Sequence, residues 1–265
     1  MSNEQKKYLK DIKFKKLLIL FIQLFIVISF FFLWQLLANK NIINSFIYYS
    51  PLKIIKTLLY LITSNNLFNH IFTTLYEVLI VFFLGTFIGI ICACMLYIFP
   101  TFEKIIDPFL TMINSLPKVA LGPLIIIIAG ANIKSIIIMG LLINLIISIT
   151  TIYSGFENVS KNKITLFKSF GSTKSQLLFK LIIPSSFNTI ISSLKLNISM
   201  SLVGIIMGEF LVSKKGIGYL IIYGTQVFDL NLVMTGVLIL IIISFILYKF
   251  ILIVENYFTK KANKL

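Results

Sequence analysis

Long uncharged apolar runs, separated by short lysine-bearing segments, dominate the pattern of this chain. Crossing the hydrocarbon core of a bilayer as a helix takes about 20 apolar residues. Four stretches come close to or exceed that length without a charge: Leu17 to Ala38, Val78 to Phe99, Ser135 to Ser154 and Leu230 to Tyr248. Two more are interrupted, Phe109 to Ala129 by Lys118 and Ile190 to Val212 by Lys195 and Glu209. The pattern predicts an all-α membrane protein, a single transmembrane domain over 1–265, with six spans at about 17–38, 71–99, 107–130, 133–154, 189–212 and 230–254.

The connections carry their own signals. Ser50-Pro51 followed by LKIIKTLLYLI reads as a short helix lying in the membrane interface, capped by Ser50 with Pro51 at its first position. The segment 155–184 is polar and lysine-rich, yet Leu166, Phe167, Phe170, Leu177, Leu178 and Phe179 recur at helix-like spacings. That pattern predicts an amphipathic element that docks against a partner or rests on the membrane surface.

Composition agrees. With 58% hydrophobic and 12% charged residues, the chain departs far from a soluble domain. A net charge of +15 raises the question of nucleic acid, but all 24 basic residues are lysines, and most flank apolar runs. Without the bidentate fork of arginine, nucleic-acid recognition is not expected. Sorting the loops alternately puts fifteen lysines on one side and six on the other. The positive-inside rule then places both termini in the cytoplasm. The N-terminal stretch is longer and more charged than most signal n-regions and no small-residue cleavage site follows, so the first apolar run is expected to remain as a helix.

Few residues suggest chemistry. Cys92 and Cys94 read as packing residues, and His70 has no carboxylate or cysteine at ligand spacing. Glu77, Lys118, Lys195 and Glu209 are costly inside spans and therefore candidates for a lumen or interhelical ion pairs. Glu77 and Lys195 could instead snorkel to water from helix ends. Lys118, between Pro117 and Pro123, reads as a pathway residue, and Glu209 as a gate or docking element or a helix terminus. Ser185, Ser186, Ser192, Ser193, Ser199 and Ser201 read mainly as small residues at helix contacts.

Phe170-Gly171-Ser172, then Ser175 to Lys180, then Ile182-Ile183-Pro184 place Gly171 thirteen residues before Pro184. This resembles the cytoplasmic loop of ABC-importer permeases, in which a Glu-Ala-Ala triplet and a glycine are followed by a Leu-Pro pair. Ser115-Leu116-Pro117-Lys118-Val119-Ala120-Leu121-Gly122-Pro123-Leu124 with Gly130 is similar to the Pro-containing third helix of the nitrate, sulfonate and taurine branch. Thr74-Leu75, Gly85, Gly89 and Pro108 fit that branch too, as do Glu209-Phe210 and Gly216-Ile217-Gly218-Tyr219. The chain departs from it at Thr165-Leu166-Phe167, in place of Glu-Ala-Ala. It also has Glu77 where many members have Arg, Val81 and Ala93 where Gly is usual, and Asn188 where a second Pro is common.

The resemblance implies a type I importer permease fold and ATP-driven import of a small solute of the nitrate, sulfonate or taurine type. A thiamine precursor or an amino acid is the alternative cargo. Coupling would fall to Thr165, Leu166, Phe167, Gly171, Ser172 and Pro184, and the path or gate to Pro117, Lys118, Gly122, Pro123 and Glu209. The implied partners are an ATPase subunit on the cytoplasmic side, an extracytoplasmic solute-binding protein, a second copy of the chain and membrane lipid. No G-x-x-x-x-G-K-[ST] phosphate loop is present, so ATP and magnesium would bind the ATPase subunit and this chain would hold no cofactor. A secondary transporter would need matching broken helices in two halves, and only the third helix reads as broken. A membrane enzyme would need clustered His, Cys or carboxylates at membrane depth.

Overall fold

The computed structural model describes residues 51–64 and 66–262, with scattered positions between 12 and 36. Of the predicted span 17–38, the described positions are helical and the rest lie outside the described residues, as does Ser50, the predicted cap of the interfacial helix. All regular structure among the described residues is helical. Four helices are long and apolar enough to cross a membrane: α2 (Asn66–Ile98), α5 (Ile133–Glu157), α9 (Phe187–Val212) and most of α11 (Leu230–Ala262). A fifth crossing exists if α3 (Pro100–Ser115) and the helical stretch Lys118–Ala129, which includes α4 (Gly122–Ala129), count as one span.

That fifth element is broken, as the third helix reads in the sequence, but its bounds differ from the span expected at 107–130. Helix begins earlier, at Pro100, and bends by 91° around residues 116–117. The cause is local. A residue before proline is driven out of the helical region, and Leu116 is extended at φ −66°, ψ 138° ahead of Pro117. A 3-10 turn, Lys118–Leu121, then leads into α4, which stops at Gly130 with φ +82°.

Helices α2, α5 and α9 form the interior. Lipid is as apolar as leucine, so their association rests on close packing and on polar contacts rather than on the hydrophobic effect. A Cβ on Gly204 would lie 2.6 Å from the Cα of Gly140, so α5 and α9 meet backbone to backbone. A polar layer crosses the same three helices at full burial. Asn144 Nδ2 donates to Asn197 O at 2.7 Å and to Ser201 Oγ at 2.8 Å. Asn197 Nδ2 donates to Thr86 Oγ1 at 3.1 Å and to Ser148 Oγ at 3.0 Å.

Helix α1 (Pro51–Thr63) runs where the sequence places it. It turns Ile54 and Leu61 inward onto α11 and α10 (Ile217–Gln226) and leaves Leu52, Ile55, Leu59 and Tyr60 facing outward. At the lysine-rich end lie α6 (Lys161–Ser169), α7 (Lys174–Leu177), a wide turn over Leu178–Ile182, and α8 (Ile183–Ser185).

Candidate functional site

The segment from α6 to α8 is built as an anchored platform. Thr173 caps α7 by accepting the Gln176 N–H, while Gln176 Oε1 accepts the Thr173 N–H, a reciprocal capping box. Leu177, Leu178 and Ile182 insert against Ala93 of α2 and Ile152 and Phe156 of α5, with Phe167 packed beside them. Leu178 and Ile182 are both fully buried and contribute roughly 1.5–3 kcal/mol each. The other half of the apolar pattern points away: Leu166 is 59% exposed, Phe170 79% and Phe179 63%. Gly171 sits among them with φ +75° and nothing near the place a Cβ would take. Of the sequence-predicted coupling residues, Thr165, Leu166, Gly171 and Pro184 are exposed, while Phe167 and Ser172 are partly buried. Ser172 Oγ donates to Phe167 O at 2.8 Å and closes the turn.

At the opposite end a buried latch joins α2, α9 and α10. Glu209 is fully buried; its Oε1 accepts from Thr74 Oγ1 at 2.7 Å and its Oε2 from the Gly218 N–H at 2.6 Å. The carboxylate thus satisfies an otherwise unpaired N–H in the first turn of α10 and lies at the positive end of that helix dipole. Thr74 Oγ1 also accepts the Ile217 N–H at 2.9 Å, and His70 Nδ1 accepts the Gly216 N–H at 3.0 Å. The His70 ring stacks on Tyr219. Gly216 has φ +105°, and a Cβ there would lie 2.3 Å from the Glu209 carboxyl carbon. Glu209 is therefore an interior joint rather than a simple helix terminus.

One snorkelling expectation, that of Glu77, is corrected by packing. Glu77 is only 2% exposed, because it shares the inward face of α2 with Thr74, Val78 and Val81. Lys195 pairs with Glu255 of α11 at 2.8 Å, and Ser192 Oγ donates to the same carboxylate at 2.8 Å. Lys118 folds back to cap α3, its Nζ donating to Asn114 O at 2.9 Å. Gly122 is buried, with Leu211 of α9 where its Cβ would be, so the break at 117–123 packs two residues from Glu209 in sequence. Pro117 and Pro123 are exposed.

Sequence reasoning did not single out Asn144 and Asn197. Their signal was there: an amide inside an apolar run costs free energy unless it is paired. A cavity of about 230 Å³ at the lysine-rich end, lined in part by Glu103, Asp107, Tyr153 and Glu157, was also not singled out.

Residues 85–264 match the family described as binding-protein-dependent transport system inner membrane component. The formylaminopyrimidine transport permease protein ThiX of Halalkalibacterium halodurans is 25% identical over 187 residues, 71% of this chain and 74% of that one. The taurine transport system permease protein TauC of Escherichia coli is 21% identical over 219 residues, 81% of this chain and 80% of that one. Among solved structures, the MetNI methionine ABC transporter in inward-facing conformations contains a chain matching with a TM-score of 0.64 at 15% identity, covering 74% of this chain and 95% of that one. The chain belongs to the binding-protein-dependent inner membrane components, the multi-pass permeases of ABC importers.

Proposed function

We propose that two copies of this chain, each with six spans and both termini in the cytoplasm, enclose the path of an ATP-driven importer. An ATPase subunit docks on the cytoplasmic platform and a solute-binding protein delivers cargo to the other side. The observation that carries this reading is the split of one apolar pattern. Leu177, Leu178 and Ile182 lock the platform onto α2 and α5, while Leu166, Phe170 and Phe179 stay open around Gly171. An apolar group held rigidly in water is suited to a partner's groove.

Movement follows from the same packing. A push on Thr165 to Ser172 passes through Phe167 and Leu178 into α2 and α5, which share a close-packed core with α9 and move as one body. The 91° break at Pro117 to Pro123 is the hinge, with Lys118 and Gly122 beside the path and Glu209 holding its far end. ATP and magnesium act in the ATPase subunit.

The cargo is a small solute of the sulfonate, taurine or formylaminopyrimidine type. The relatives TauC and ThiX support the last two, and the aliphatic sulfonates transport permease protein SsuC of Bacillus subtilis, 24% identical over 232 residues, supports the first. Uptake of labelled taurine and of formylaminopyrimidine into proteoliposomes holding the complete importer tests this. ATP-dependent uptake of one of them, abolished by Phe170→Asp without loss of thermal stability, is expected. Uptake indifferent to ATP and to Phe170→Asp contradicts the coupling role, and uptake of nitrate alone contradicts the cargo.

A further inference from the structure

Four described residues of this chain have a positive φ; three are Gly130, Gly171 and Gly216, and the fourth is Phe228 at φ 54°. Phe228 occupies the turn between α10 and α11, and the turn has a defined form. The Asp229 N–H donates to Gly224 O at 2.9 Å and the Phe228 N–H to Thr225 O at 3.3 Å, the paired bonds of a Schellman motif. The left-handed position of that motif favours glycine, because a side chain there crowds its own backbone. Asp229 Oδ1 then accepts the Asn231 and Leu232 N–H groups and starts α11. The backbone of the turn is thus satisfied without any contribution from the phenyl ring.

Among the described residues the ring gains little in return. Phe228 is 81% exposed and the neighbouring Val227 46%. Its position says what it meets. The apolar span of α11 starts two residues later, at Leu230, and only 17% of its most apolar window is buried, against 39% to 50% in α2, α5 and α9. Most of α11 therefore faces out of the chain, and Phe228 stands at the level where its hydrocarbon-facing surface begins. Thr225, Gln226 and Asp229 around it are exposed and polar. An aromatic ring between an apolar helix and polar neighbours is the pattern of a membrane–water interface. Helix α1, tied to α11 where Thr235 Oγ1 donates to Ile54 O at 3.4 Å, turns Leu52, Ile55 and Leu59 outward at the same end.

We propose that Phe228, with Val227, is a lipid anchor: a wedge held in a left-handed turn so that its ring enters the headgroup boundary and fixes α10, the helix that Glu209 caps, to the bilayer. The left-handed conformation is tolerated because it aims the ring outward. Through the Glu209 joint the anchor also sets the depth of α2 and α9 in the bilayer.

The test uses the full chain with Trp34→Phe and Phe228→Trp, which leaves one tryptophan, in vesicles of phosphatidylcholine brominated at shallow or deep acyl positions. Strong quenching by the shallow label, weak quenching by the deep label and little by aqueous iodide is expected. Quenching by iodide but by neither lipid overturns the proposal, as does protection from iodide only when the binding protein or a second copy is added. Phe228→Gly supplies an independent readout. Glycine relieves the turn, so thermal stability in detergent rises or holds while quenching of a reporter Val227→Trp by the shallow lipid label falls. A loss of stability in detergent would mean that the ring packs within the protein, and the anchor fails.

Discussion

Gly171 and Gly216 share a left-handed backbone at opposite ends of the bundle, and their surroundings could hardly differ more. Around Gly171 the space is open and the neighbouring Leu166 and Phe170 face outward; around Gly216 the Glu209 carboxyl group fills the volume a methyl would need. One glycine serves a presented surface and the other a closed joint. The difference separates a region built for a partner from one built to hold three helices of the same chain together, and it sets how each should respond to substitution.

The largest effect is expected at the joint. Gly216→Ala combines a disfavoured backbone with a clash against a buried carboxyl group and costs roughly 3–5 kcal/mol. Thermal unfolding in detergent checks this, and a midpoint close to wild type contradicts the closed joint. Glu209→Leu leaves the Thr74 hydroxyl and the Gly218 N–H without their acceptor and costs roughly 2–4 kcal/mol, with protease sensitivity appearing first at residues 213–216. Asn197→Leu takes the amide donor from Thr86 and Ser148 within the polar layer, while Asn144 keeps its bond to the carbonyl of residue 197, for about 1–2 kcal/mol in the same assay. Gly171→Ala pays only the backbone term, about 1 kcal/mol, since nothing lies near the new methyl. Smallest is Lys195→Ala, under about 1 kcal/mol, because its pair with Glu255 is partly open to solvent; a double-mutant cycle with Glu255→Ala measures it.

Much of this architecture was legible in the sequence. The apolar runs foretold α2, α5, α9 and α11, because membrane length and apolarity leave little freedom. α11 runs past its predicted end, to Ala262. Pro51 marked the start of α1, and Gly171 and Pro184 marked the platform. The bend was less legible. Pro117 and Pro123 announced a break, but not the 91° size of the bend or the start of helix at Pro100.

Burial was the least legible property. Glu77 and Glu209 look alike as isolated acids near helix ends, and only the register of α2 against α9 puts both inside. The apolar residues of the platform could be listed from their spacing. Which of them turn inward depends on the caps and the wide turn at Leu178–Ile182, and these are set by contact with α2 and α5. The left-handed Phe228 leaves no mark in the sequence, since nothing about a phenylalanine before Asp229 foretells a Schellman turn.

The central claim is that the open side of the platform receives an ATPase. Co-purification of the detergent-solubilised chain with its ATPase subunit, wild type against Gly171→Asp, tests it most directly. The open space at Gly171 lets the carboxylate point outward, so the variant should remain folded, lose the ATPase and keep an unfolding midpoint within a few degrees of wild type. If Gly171→Asp retains the ATPase as fully as wild type, the platform is not the docking site and the account of coupling is wrong.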